Sequence, residues 1–222
     1  MDFGSALTLA ATTFMVTLSG AVMPGPVLGI TISESAKKGA WVGPLVILGH
    51  AIVEVPMMCA ILLGLGIFLR SEMASALIGF FGGSALIVLG YLTAKPAYAG
   101  DISLSDFSNS GKVASHGSIF GGMLTSISNP WFPLWWVMVG GSLLAEALKI
   151  GWVGIVAFIV GHWGCDLGWY SLVSLSVAKG RRIMSPGIYR LVVASCGVFI
   201  AALGMFFLLS GLDALRTIYR YF

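Results

Sequence analysis

Gly39-Ala40-Trp41-Val42-Gly43-Pro44-Leu45-Val46-Ile47-Leu48-Gly49-His50-Ala51-Ile52-Val53-Glu54 has a counterpart later in the chain. It reads Gly151-Trp152-Val153-Gly154-Ile155-Val156-Ala157-Phe158-Ile159-Val160-Gly161-His162-Trp163-Gly164-Cys165-Asp166. Each copy has a Trp-Val-Gly, an apolar run, a Gly-His, and a carboxylate one helical turn after the His, with a one-residue slip of register between the copies. Each copy also follows a proline-broken apolar segment: Met23-Pro24-Gly25-Pro26 in the first half, Asn129-Pro130-Trp131-Phe132-Pro133 in the second. A duplicated unit that pairs a broken helix with a buried acid is how a transporter core looks in sequence.

The solvent of this chain is lipid. Of its 222 residues 58% are hydrophobic and 9% charged, and the mean hydropathy is +0.97. Soluble domains carry about a quarter charged residues, and a surface this poor in charge cannot face water. A net charge of +3, spread between apolar runs, excludes nucleic acid as a partner class. Cys59, Cys165 and Cys196 lie in apolar runs with no Cys-x-x-Cys, which argues against a disulfide framework or a redox thiol pair. Asp2 replaces the basic start of a signal peptide, so the first apolar run reads as a permanent span.

Runs long enough to cross a bilayer, roughly 20 residues each, fall at 6–33, 41–69, 73–92, 118–145, 150–178 and 188–211. The polar stretch 93–117 separates three from three, dividing the chain into a first repeat at 1–92, a loop, and a second repeat at 118–222. An odd number of spans per repeat forces the two into opposite orientation. The expected fold is therefore an all-α integral membrane protein. It has six transmembrane helices in two inverted three-helix repeats, the first and fourth broken at their proline motifs. Lys37, Lys38, Lys95, Lys112, Lys179, Arg181, Arg182 and Arg190 lie on one side of these spans, and Arg70, Lys149, Arg216 and Arg220 on the other. The positive-inside rule puts the richer side in the cytoplasm and both termini outside, in a multi-pass protein of the cell membrane.

The chemistry concentrates in few residues. Of nine acids, Glu54 and Asp166 fall near the middle of a span, where a carboxylate must be protonated, paired or wetted. His50 and His162 each precede their acid by one turn and share its helix face. Each pair could carry a proton, bind a cation or hold an ammonium; the plainer alternative is helix glue. Pro24, Gly25 and Pro26 cannot continue a helix, and Asn129 and Pro130, with Pro133, repeat the break. Freed carbonyls and a new helix start must then face the protein interior. Thr125, Ser126 and Ser128 are hydroxyls beside the second break. Trp131, Trp135, Trp136, Trp163 and Trp169 crowd the fourth and fifth spans; some, Trp131, Trp135 and Trp163 foremost, could wall a cavity and offer cation–π contacts, or be packing. No nucleophile–base motif suggests an enzyme, and no cofactor is implied.

Met23-Pro24-Gly25-Pro26, Lys37-Lys38-Gly39-Ala40-Trp41-Val42-Gly43, Gly49 and Gly64-Leu65 resemble the first-repeat signature of the LysE-type translocators, and Asn129-Pro130 resembles their second-half Asn-Pro. The resemblance implies efflux of amino acids or related metabolites coupled to a proton or sodium gradient, with room for a homo-oligomer. The chain departs from that pattern at His50 and Glu54, where relatives have a small residue and then Gly-Asp, and at Trp131, where a Lys is usual. The wider superfamily includes divalent-cation exporters, and His with carboxylate suits such a cargo, so metal export stands as the alternative, followed by a membrane enzyme or non-transporting subunit. If the charge bias sets orientation, a cysteine at Asn109 in a background without native cysteines stays unlabelled by an impermeant reagent applied to intact cells. Efficient labelling from outside would invert the topology.

Overall fold

The computed structural model describes residues 3–23, 25–64, 72–100, 114–180 and 185–220. Among these, every regular element is helical. In chain order they are α1 (Phe3–Ala21), α2 (Pro26–Lys38), α3 (Val42–Leu62), α4 (Glu72–Ala99) and α5 (Ala114–Ile127). A short α6 (Trp131–Trp135) then runs through a π-helical turn (Trp136–Gly140) into α7 (Gly141–Ile150), followed by α8 (Trp152–Gly180) and α9 (Pro186–Arg220).

Five segments are long and apolar enough to cross a membrane: α1, α3, α4, Trp131–Ile150, and α9 as far as Arg216. The remaining expected span, 150–178, the fifth in chain order, corresponds to α8, whose 29 residues reach ~43 Å at 1.5 Å per residue. Its polar side chains keep it below the apolar level of the others. Two boundaries move. The fourth span, expected from 118, begins as α5 at Ala114. The third span, expected to end at 92, continues as α4 to Ala99 and stops at Gly100, whose φ of 79° ends the helix. The remainder of the expected 93–117 loop, from 101 to 113, lies outside the described residues, as do 65–71 and 181–184.

The first expected span is two helices. α1 closes with Val22 N–H on the Leu18 carbonyl and Met23 N–H on the Gly20 carbonyl. Gly25 is extended (φ −147°, ψ 176°), and Pro26 starts α2 at the one position where its missing N–H costs nothing. Pro24 lies outside the described residues. The fourth span divides the same way. Ser128 N–H reaches the Leu124 carbonyl and Asn129 N–H the Ser126 carbonyl, and Asn129 then accepts from Trp131 N–H on its side chain and from Phe132 N–H on its backbone. The interruption is narrower than the expected Asn129–Pro133. Pro133 sits in the first turn of α6, where a helix needs no donor.

Helices of the two halves interleave. The most extensive contact joins α4 to α9, which correspond to the third expected span of each half. Glycines line that seam: a Cβ on Gly79 would lie 2.8 Å from the Phe207 carbonyl oxygen, and one on Gly197 would lie 2.7 Å from that of Gly90. Only bare backbone permits this approach. Next come α1 against α8 and α3 against α5, each pairing a helix of the first expected span of one half with the second expected span of the other. The two copies of the duplicated stretch also start alike: Gly39 (φ 99°) and Gly151 (φ 86°) cap the preceding helix in a conformation that favours glycine, and an exposed Trp follows each. Gly197→Leu should force α4 and α9 apart at a cost of about 1–3 kcal/mol or more. Thermal unfolding of the purified variant in detergent should show a lowered midpoint, and an unchanged midpoint would contradict the seam.

Candidate functional site

α3 and α8 cross inside the bundle, and each brings one His and one acid to the crossing. Glu54 is 1% exposed and Asp166 is 4% exposed. The two His–acid pairs do not stay separate. His50 Nε2 lies 3.2 Å from Glu54 Oε1, and His162 Nε2 lies 2.8 Å from the same oxygen. Trp163 Nε1–H donates to Glu54 Oε2 at 2.8 Å. One carboxylate thus receives an imidazole from each half and an indole from the second, which gives a buried charge the donors it needs.

Asp166 is the odd member. Its Oδ2 stands 3.7 Å from His162 Nε2 and has no hydrogen-bond partner among the described residues. Glu54 has one more methylene than Asp166, and the longer acid takes both imidazoles.

The outer edges of the imidazoles are held reciprocally. His50 Nδ1 meets Ser126 Oγ of α5 at 2.6 Å, and His162 Nδ1 meets Thr17 Oγ1 of α1 at 2.8 Å. The glycine before each His makes the approach possible. A Cβ on Gly49 would collide with the Ile119 carbonyl of α5, and one on Gly161 with the Ala10 carbonyl of α1. Ser126 follows Thr17 by 109 positions, as Ile119 follows Ala10, while both the Gly and the His pairs are separated by 112. The same contacts therefore occur twice, with the halves exchanged.

Aromatic rings close the site. Trp135 stacks on His162 at 5.2 Å, Phe158 stacks on its ring at 5.8 Å, and Trp136 meets it edge-on at 5.2 Å. Phe132 meets His50 edge-on at 5.4 Å. Trp136 belongs to the π-helical turn, a distortion frequent at functional positions. Low local dielectric strengthens every polar contact here.

Of the residues singled out in the sequence, His50, Glu54, His162, Asp166, Trp135 and Trp163 come together. Pro130 and Trp131 do not. Trp131 is 59% exposed, and both residues line a separate apolar cavity of about 270 Å³ with Gly79, Phe206 and Phe207. Asn129 serves the helix restart, and Gly25 and Pro26 form the start of α2. Thr17 and Phe158 join the site without a signal in the sequence, while Trp136 stands there only as one of several crowded tryptophans and Ser126 only as a nearby hydroxyl. Phe158 looks like packing in an apolar run, and the first helices carry too little echo to align Thr17 with Ser126.

His50, Glu54 and Asp166 each offer a ligand atom within 4.8 Å of one another, close enough for a cation. The donors are not aimed at a common centre, however. Both Nε2 atoms are turned to one Glu54 oxygen, and a cation would have to displace those contacts. The geometry is that of a hydrogen-bonded cluster more than a coordination shell.

The model of the LysE type translocator family matches residues 18–211, most of the chain and both halves of the site. The chain belongs to the LysE type translocator family. It is accordingly a multi-pass membrane transporter. Among curated proteins, it is 24% identical over 194 residues to the "Putative amino acid efflux protein YcgF" of Bacillus subtilis (strain 168), covering 86% of this chain and 90% of that protein. No solved structure matches significantly. Like other polar contacts between buried helices, the Trp163–Glu54 bond is worth about 0.5–2 kcal/mol. Trp163→Phe should lower the unfolding midpoint of this translocator accordingly, and full stability would show that Glu54 does not use the indole.

Proposed function

We propose that this LysE-type translocator exports amino acids or related small metabolites from the cytoplasm in exchange for protons, through a site between two inverted repeats. In this reading α8 is the fifth span and completes the six, the pseudo-two-fold axis lies in the membrane plane, and both termini are outside the cell membrane. The observation that carries it is Glu54 Oε1 bridged by His50 from one half and His162 from the other. A carboxylate held by two imidazoles gains or loses a proton without exposing a bare charge to lipid. Because the halves meet on it, any rocking of one against the other changes its partners, which is the coupling alternating access needs.

Asp166 supplies the complementary part. It is buried beside His162 with an oxygen that no donor among the described residues reaches. A substrate ammonium would satisfy it, with Trp135 and Trp136 as the apolar and aromatic surroundings. Arrival of that cation next to His162 and Glu54 disfavours the extra proton, so substrate and proton compete for the cluster. Competition of this kind gives exchange. A metal cargo is the weaker reading, since both imidazoles already face Glu54.

The test is transport in proteoliposomes. Glu54→Gln keeps shape and hydrogen bonding but removes the titratable oxygen. The variant should fold, retain substrate exchange and lose uphill efflux driven by a pH gradient. Asp166→Asn should instead weaken substrate binding itself, raising the half-saturating concentration roughly tenfold or more, the equivalent of about 1.4 kcal/mol. Normal uphill efflux by the double variant would overturn the reading.

A further inference from the structure

The two hydroxyls that hold the imidazoles are not equivalent. Ser126 Oγ lies 2.6 Å from the Gly122 carbonyl oxygen as well as 2.6 Å from His50 Nδ1. A hydroxyl has one proton, and a carbonyl can only accept. The Ser126 O–H therefore donates to the Gly122 carbonyl, and Ser126 Oγ meets His50 as an acceptor. His50 Nδ1 must then bear hydrogen. Thr17 Oγ1 makes its hydrogen bond to His162 Nδ1 with no carbonyl competing for its proton among the described residues, so it is able to donate there. His162 Nδ1 is then bare, and its hydrogen sits on Nε2, donated to Glu54.

With His50 carrying its hydrogen on Nδ1, the 3.2 Å approach of His50 Nε2 to Glu54 Oε1 needs one more proton, carried by either atom. We propose that Ser126 is a positioning residue that fixes His50 in the Nδ1–H form, so that the cluster's one labile proton lies between Glu54 Oε1 and His50 Nε2. The contacts are repeated in the two halves, but the protons are not: the first-half imidazole shares the labile proton, and the second-half imidazole is a fixed neutral donor. The remaining titratable groups on the packed elements are Asp166, Cys165 and Tyr170 of α8, with Lys179 in its last turn, and the exposed Cys59 of α3. α1 and Trp131–Gly140 contribute none, Glu34, Lys37 and Lys38 are at the end of α2 away from its break, and His116 is near the start of α5. This inference deepens the proton-coupled reading and rests on it for its meaning in transport.

Solid-state nitrogen NMR of the ring nitrogens, on protein in lipid bilayers, reads the assignment directly. A His116→Gln background leaves the two histidines of the site. His50 Nδ1 should bear hydrogen across the accessible pH range, with Nε2 the nitrogen that titrates, while neutral His162 shows a bare Nδ1. Ser126→Ala should abolish the His50 pattern, Thr17→Val should leave it intact, and Ser126→Thr, which keeps the hydroxyl, should preserve it. A bare Nδ1 on His50, or an unchanged pattern in Ser126→Ala, would overturn the proposal. Loss of the pattern in Ser126→Thr as well would attribute it to packing and overturn it too. Efflux against pH forms the separate arm, with the Ser126→Ala profile displaced from wild type. If the NMR pattern holds and wild-type efflux ignores pH, the proton assignment stands and the proton-coupled reading falls.

Discussion

A carboxylate buried in mid-bundle must find donors, and Glu54 finds them on both sides of the molecule. Two imidazoles and an indole converge on its two oxygens. Much of the surrounding architecture exists to permit that meeting. Gly49 and Gly161 strip the side chain from the position before each His, so that α3 lies on α5 and α8 lies on α1 at backbone distance. Those contacts bring Ser126 and Thr17 to the outer nitrogens of the rings. Replace either glycine with a bulky residue and the imidazole it precedes is carried away from Glu54.

The breaks in the first and fourth spans belong to the same design. Thr17 lies a few residues before the α1–α2 break, and Ser126 just before the α5–α6 break. A change in the angle between the two parts of either broken span would therefore be felt at an imidazole, and through it at Glu54. The α4–α9 pair forms a glycine-lined seam beside this arrangement, and α9 packs on α2 through Ile200 at Gly29.

The membrane class, the paired broken spans and the identities of both acids are legible in the duplicated stretch and the segments that precede it. Hydrophobic run length sets the helices because lipid leaves the backbone no alternative. Ends are less legible: α4 passes its apolar limit because only Gly100 stops it. The cluster itself is half legible. Spacing within a helix pairs His50 with Glu54 and His162 with Asp166, but the short bond from His162 goes to Glu54, 108 residues away, and no local pattern encodes that choice. Trp131 departs from its expected place for a related reason. One residue beyond a break, the direction of a side chain depends on how the new helix restarts, and this one turns outward.

The central claim is that substrate leaves as protons enter through the Glu54 cluster. It is tested most directly by following lumenal pH and substrate together, in proteoliposomes that contain a pH-sensitive dye and carry only a substrate gradient. Proton flux opposite to substrate flux, present in the wild type and absent in Glu54→Gln while exchange persists, is the predicted result. Wild-type substrate flux with no accompanying proton movement would contradict the account.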